Sequence, residues 1–144
     1  MSKSTITLGA PCTDSVSGFT GIAVVIAHMH GSNPRVFLQP AGVDSATGDM
    51  KKGYYFEWGR LTDAPVPSQH PHIGKKVKDD VTGLDGTVIV VQEHLKGCIL
   101  YEVQPEGLQA DGKMKEASVV DEARLFPKSQ SPGAVKQAGK ASAR

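Results

Sequence analysis

Short apolar runs separated by glycine-centred turns recur along the whole chain. Gly21-Ile-Ala-Val-Val-Ile-Ala-His28 and Thr87-Val-Ile-Val-Val91 are rich in β-branched residues, and each follows a glycine turn. That is how a strand reads when it leaves a hairpin. A third run, Arg35-Val-Phe-Leu38 or Ile99-Leu-Tyr-Glu-Val103, ends at Pro40 or Pro105, because proline has no N–H to give a ladder. Further turns are predicted at Asp44–Asp49 and Gln109–Gly112. They lead to closing strands at Tyr54–Trp58 and Ser118–Glu122.

These paired readings reflect an internal duplication. Residues 8–43 align with 73–108 at an offset of 65, matching Gly9/Gly74, Asp14/Asp79, Val16/Val81, Gly18/Gly83, Gly21/Gly86, Val25/Val90 and Gln39-Pro40-x-Gly42 with Gln104-Pro105-x-Gly107. After a one-residue deletion, 48–61 align with 112–125 at an offset of 64, pairing Gly48/Gly112, Met50/Met114, Lys51/Lys115, Arg60/Arg124 and Leu61/Leu125. A shared grammar at fixed spacing is the signature of a repeated structural unit. The chain therefore divides into unit one (8–61), a linker (62–72) holding Pro65, Pro67 and Pro71, unit two (73–126) and a tail (127–144). The expectation is an all-β protein: two tandem small SH3-like β-barrels, a stiff Pro-rich linker and a flexible C-terminal tail.

Composition narrows the partners. Sixteen basic against fifteen acidic residues leave a formal charge of +1, so the whole-chain balance points to neither nucleic acid nor membrane. The tail, however, carries Lys128, Lys136, Lys140 and Arg144 with no acid, a charge of +4 set against a body of −3. It is too poor in large apolar residues to fold alone. No run approaches the twenty or so apolar residues of a membrane span, and the first eight residues lack the apolar core of a signal peptide. A non-exported protein is expected. Cys12 and Cys98, the only cysteines, are too few for a disulfide framework and read as small core residues.

Val77-x-x-x-Val81-Thr-Gly-Leu-Asp-Gly-Thr-Val88 resembles the KOW-type hairpin of SH3-like barrels. With Gly97-Cys-Ile-Leu-Tyr-Glu-Val-Gln-Pro105 and Asp121-Glu-Ala-Arg-Leu125, unit two is similar to small proteins encoded by tailed bacteriophages and prophages, which usually carry one such unit. Unit one keeps the skeleton but replaces Asp121-Glu122 by Glu57-Trp58 and adds His28-Met-His30 and Tyr54-Tyr-Phe56. The resemblance implies a virion, or the host cytoplasm during infection, as the setting. It implies no activity at particular residues.

Candidate chemistry is sparse. No nucleophile elbow, P-loop or His-Glu-x-x-His pair occurs, and the acid doublets Asp79-Asp80 and Asp121-Glu122 read as turns or strand ends, so no catalysis is expected. His28 and His30 share a strand face, and His70 and His72 flank Pro71. Without a thiol or carboxylate at ligand spacing they read as exposed histidines rather than a zinc or nickel site, and no metal or cofactor is expected. Glu57 with Arg60, and Asp121 with Arg124, suggest local ion pairs. Tyr54, Tyr55, Phe56 and Trp58 concentrate aromatic area in five residues. With Phe56 inward, alignment of Trp58 with Glu122 puts the indole outward, as an interface anchor; packing within its own barrel is the alternative. The expected interface residues are Tyr54, Tyr55, Trp58, Lys128, Lys136, Lys140 and Arg144. The expected role is a non-enzymatic phage structural or accessory protein binding capsid or tail proteins, with self-association possible, as a head decoration, head–tail or tail-associated component. The alternative is a KOW-type nucleic-acid-binding or host-modulating module using Lys75-Lys-Val-Lys78 and the tail, which the net acidity of the folded part disfavours.

Overall fold

The computed structural model describes residues 6–126. Its elements are β1 (Pro11–Thr13), β2 (Thr20–Met29), β3 (Ser32–Gln39), β4 (Tyr54–Glu57), α1 (Trp58–Leu61), β5 (Lys76–Lys78), β6 (Asp85–His94), β7 (Ile99–Pro105), β8 (Ser118–Asp121) and α2 (Glu122–Leu125). The all-β expectation holds, apart from two single-turn helices. Each unit contributes four strands and one helix in the same order.

All eight strands belong to one open antiparallel sheet, ordered β4-β3-β2-β6-β7-β8, with β1 beside β2 and β5 beside β6. Two separate ladders, as expected of tandem barrels, are not what the hydrogen bonds draw. The reason lies in the length of β2 and β6, ten residues each. The first part of β2 takes β1 as its neighbour, through Pro11↔Ile22 and Thr13↔Thr20. The same edge of the second part is left with unpaired donors and acceptors, which a sheet seldom leaves open. It pairs with β6, from Val25↔His94 to Met29↔Val90.

The changeover is marked by a bulge in each unit, between Ala23 and Val25 and between Val88 and Val90. These positions are related by the repeat offset. A bulge adds twist and re-aims the strand, which lets one strand serve two neighbours. The seam is symmetric: Ala27 pairs with Gln92, its own equivalent at offset 65, so a pseudo-twofold axis passes through that pair.

Two apolar clusters form, one per unit. Cys12, Ala23, Ile26, Val36, Leu38, Phe56, Trp58 and Leu61 build the first, and Val77, Val88, Val91, Tyr101, Val103, Val120 and Leu125 the second. These correspond position by position once Trp58 is set aside; Ile73 also belongs to the second cluster, and its equivalent Leu8 is only partly buried against the first. Ile6 extends the first core beyond the expected boundary at residue 8, and Phe126 packs on the second. Cys12 is buried as expected, but Cys98 is exposed. It stands in the turn before β7 begins at Ile99, ahead of the alternation that buries Tyr101 and Val103.

Glycine is required where strands cross closely. A Cβ on Gly86 would collide with the Gln104 carbonyl, and one on Gly21 would lie 2.9 Å from the Gln39 carbonyl carbon. This accounts for the recurrence of Gly21/Gly86 opposite Gln39/Gln104.

The expected ion pairs are corrected. Arg60 does not pair with Glu57; its Nε and Nη2 donate to the two carboxylate oxygens of Asp14 at 2.8 and 2.7 Å. Arg124 does the same to Asp79 at 2.9 and 2.7 Å. Asp14 and Asp79 are fully buried and also accept from Ser17 or Thr82, by hydroxyl at 2.6 and 2.5 Å and by N–H at 2.9 and 3.1 Å. Each bidentate lock ties the β1–β2 or β5–β6 turn to the closing helix. Glu57 instead accepts from Asn33 at 3.2 Å, and Asp121 caps α2 through the N–H of Ala123 at 3.0 Å. The identity that mattered was Asp14/Asp79, forty-odd residues away, not the acid nearest to the arginine.

Candidate functional site

The aromatic strand splits in two. Tyr54 and Tyr55 are half-exposed, at 45% and 47%, on opposite faces of β4. Tyr54 sits edge-on to Phe19, ring centroids 5.3 Å apart, with Lys52 Nζ 5.3 Å from its centroid. Tyr55 sits edge-on to Phe37 at 5.0 Å, and burial pushes its phenol pKa up. It also rims a groove of about 200 Å³ lined by Ala27 and Met29 of β2, Val90 and Gln92 of β6, Arg35 of β3 and Glu102 of β7.

Trp58 is elsewhere. It is 5% exposed and belongs to the first core cluster, so the expectation of an outward indole is corrected. Strand alternation ends at Glu57, and Trp58 opens α1, where the chain turns back over the core. The equivalent Glu122 opens α2 and is itself half-buried, accepting a hydrogen bond from Tyr101 at 3.1 Å. A glutamate at that position was therefore no proof of exposure. Lys128, Lys136, Lys140 and Arg144 lie outside the described residues.

Two strongly exposed methionines were not singled out by sequence reasoning. Met50 and Met114 are 74% and 69% exposed, and they are equivalent residues. Each bridges across its loop to Val43 or Leu108, which are exposed too. Both loops are held in shape: Gln39 Nε2 donates to the Lys51 carbonyl at 2.7 Å and Gln104 Nε2 to that of Lys115 at 2.6 Å. The recurring Gln-Pro-x-Gly is thus a loop brace as well as a strand end. The Met50/Met114 and Lys51/Lys115 identities were visible in the alignment; only their exposure was not.

His30, just after β2, is exposed as expected, but His28, His70 and His72 are half-buried. Residues 62–72 pass over the seam, where the His28 and His70 rings lie 5.2 Å apart and His70 and His72 another 5.2 Å. His28 Nε2 stands 3.3 Å from Glu93 Oε2, outside hydrogen-bonding geometry. His72 stacks on Phe126 at 4.1 Å, and its Nδ1 is 2.6 Å from the Tyr101 hydroxyl. Tyr101 spends its one proton on Glu122, so His72 Nδ1 donates to the Tyr101 oxygen. Burial, reinforced by Glu122, raises the Tyr101 pKa far above the ordinary phenol value. Burial lowers those of His70 and His72, with His28 and His72 adding to the first and Lys75 to the second.

Among the described residues, no three histidines, cysteines or carboxylates are grouped to hold a metal ion, and no helix is long and apolar enough to cross a membrane. Asp79 is committed to Arg124 and Asp121 to its cap. Comparison with family models, with curated proteins and with solved structures finds no match to this chain.

Proposed function

We propose that the chain is a non-enzymatic bacteriophage structural or accessory protein, made of two fused SH3-like units that dock on other virion proteins. The observation that carries this reading is the pair of braced loops with equivalent exposed methionines, Met50 and Met114. Stiffened loops lose little backbone entropy on binding, and methionine suits adaptable contact surfaces. Their identity in both units sets them apart from the many surface positions at which the units differ. Tyr55 and its groove at the seam add a separate aromatic anchor, and the basic tail suits an acidic neighbour.

Gradient-purified virions examined by mass spectrometry test the setting: the protein should co-purify with particles at fixed stoichiometry. Its absence from particles, combined with salt-sensitive binding to DNA or RNA, would favour the KOW-type nucleic-acid alternative.

A further inference from the structure

We propose that His70 is a proton-operated latch that holds residues 63–71 across the seam at neutral pH and releases them on acidification. The argument begins with one hydrogen bond. The backbone N–H of His72 donates to His70 Nδ1 at 3.1 Å, so that nitrogen must carry a lone pair, and neutral His70 keeps its proton on Nε2. Protonation places a second N–H on Nδ1. Two donors then face each other at the tightest point of the turn, where Ile73 N–H also donates to the His70 carbonyl at 3.0 Å.

The surroundings oppose a charge on His70 from several sides. His28 on β2 and His72 on the same segment are its imidazole neighbours, and the Tyr101 ring on β7 meets it edge-on at 6.3 Å. Glu93 on β6 is the one acid facing it, and its pull is outweighed by burial and the two imidazoles. Lys75 and Glu122 act on the adjacent His72 with opposite signs. Because the folded value is lowered, the neutral contact is fully present above an unperturbed imidazole's ~6.5 and weakens as pH falls below it. The ends of the segment are anchored separately, by Thr62 N–H donating to the Trp58 carbonyl at 3.3 Å and by His72 against Tyr101 and Phe126; between them Gln69 Nε2 reaches the Met29 carbonyl at 3.4 Å. Release would lift Val66, Pro67 and Gln69 off one wall of a groove of about 260 Å³ and uncover Met29, Asn33 and Pro34 on the other.

Hydrogen exchange read by mass spectrometry, corrected for intrinsic rates, tests the latch on the full chain at about pH 8 and about pH 5, either side of the imidazole range. Protection of the peptide spanning 66–74 should fall about tenfold or more at the lower pH, while peptides covering Val88–Val91 and Tyr101–Val103 stay protected. His70→Asn offers Oδ1 in place of Nδ1 as an acceptor that does not titrate, and it should keep the segment protected at both values. His70→Ala should leave it open at both. Equal protection of the wild-type peptide at the two pH values would overturn the proposal. So would a pH step that survives in His70→Asn, or loss of core protection in parallel with the segment.

Discussion

The two units build the same core from opposite choices at two positions. Unit one has Val36 and Trp58 where unit two has Tyr101 and Glu122. A small aliphatic with a large aromatic in one corresponds to a large aromatic with a charged side chain in the other. In unit two the polar atoms are satisfied as a chain, from His72 to Tyr101 to Glu122. In unit one the filling is apolar, and the indole Nε1 of Trp58 is buried without a hydrogen-bond partner among the described residues. The difference shows that the fold does not specify the polarity of this site: unit two gives its polar atoms partners, whereas unit one fills the place with apolar area and leaves one indole N–H without one. It also shows why Trp58 could not be placed by aligning it with a glutamate. The substitution at 58 is compensated at 36, a strand away.

The Asp–Arg locks are common to both units, and the largest expected effect comes from breaking what they share. Asp14→Asn and Asp79→Asn should each lower Tm by roughly 10 °C or more, since each strands an arginine against a neutral partner and loosens a turn from its helix. Thermal denaturation of both variants sharpens the comparison, because equivalent locks predict similar losses. The arginine holds each carboxyl well below the usual range, with the Ser17 or Thr82 hydrogen bonds adding to it. Both folded-state values are depressed. Their contribution is therefore complete above an ordinary carboxylate's ~4 and is lost as pH falls below it, so acid unfolding should shift to higher pH in either variant.

The next effect tests the divergent site. Trp58→Glu writes unit two's residue into unit one, where Val36 offers no hydroxyl to meet it, and should cost on the order of 4 kcal/mol in urea denaturation. Tyr101→Phe leaves Glu122 and His72 without their shared partner and should cost about 1–3 kcal/mol. A neutral Trp58→Glu would mean that the indole lies outside the core. Tyr101 adds a signature that unit one lacks. Its folded value is raised, so its neutral form is retained while the unfolded chain ionises above ~10, and stability falls as pH rises through that range. In a spectroscopic titration of the phenols, Tyr101 should ionise last and together with alkaline unfolding. Its ionisation well before alkaline unfolding would sink the buried-network reading.

These particulars decide how much was legible in advance. Strand content, turn glycines and the repeat follow from local patterns, and the structure keeps them. What escaped was long-range. The seam depends on which unpaired edge β2 and β6 find, and period-two alternation describes faces, not neighbours. The Asp14–Arg60 lock spans forty-six residues, so the nearer Glu57 drew the eye. His70 and His72 looked like linker residues because three prolines suggested a free spacer, whereas stacking on Phe126 and contact with Tyr101 place them against the sheet. Met50 and Met114 were aligned correctly, but exposure of an apolar residue leaves no mark on the sequence.

The smallest effect on stability concerns those methionines, and it bears most directly on function. Met50→Glu with Met114→Glu removes matched apolar tips from both units without touching either core, since both side chains are largely exposed and both loops keep their glutamine braces. Surface changes of this kind stay within about 0.5 kcal/mol, so Tm should barely move. If the paired loops are the docking surface, attachment to particles should fall by more in the double variant than in either single one. Two linked contacts gain from each other's effective concentration, so losing one should already weaken retention more than a solitary contact of that strength would. A double variant that attaches like the wild type would remove the loops from the interface and leave Tyr55 and the seam groove as the surface to test, a choice that Tyr55→Glu in the same assay would settle.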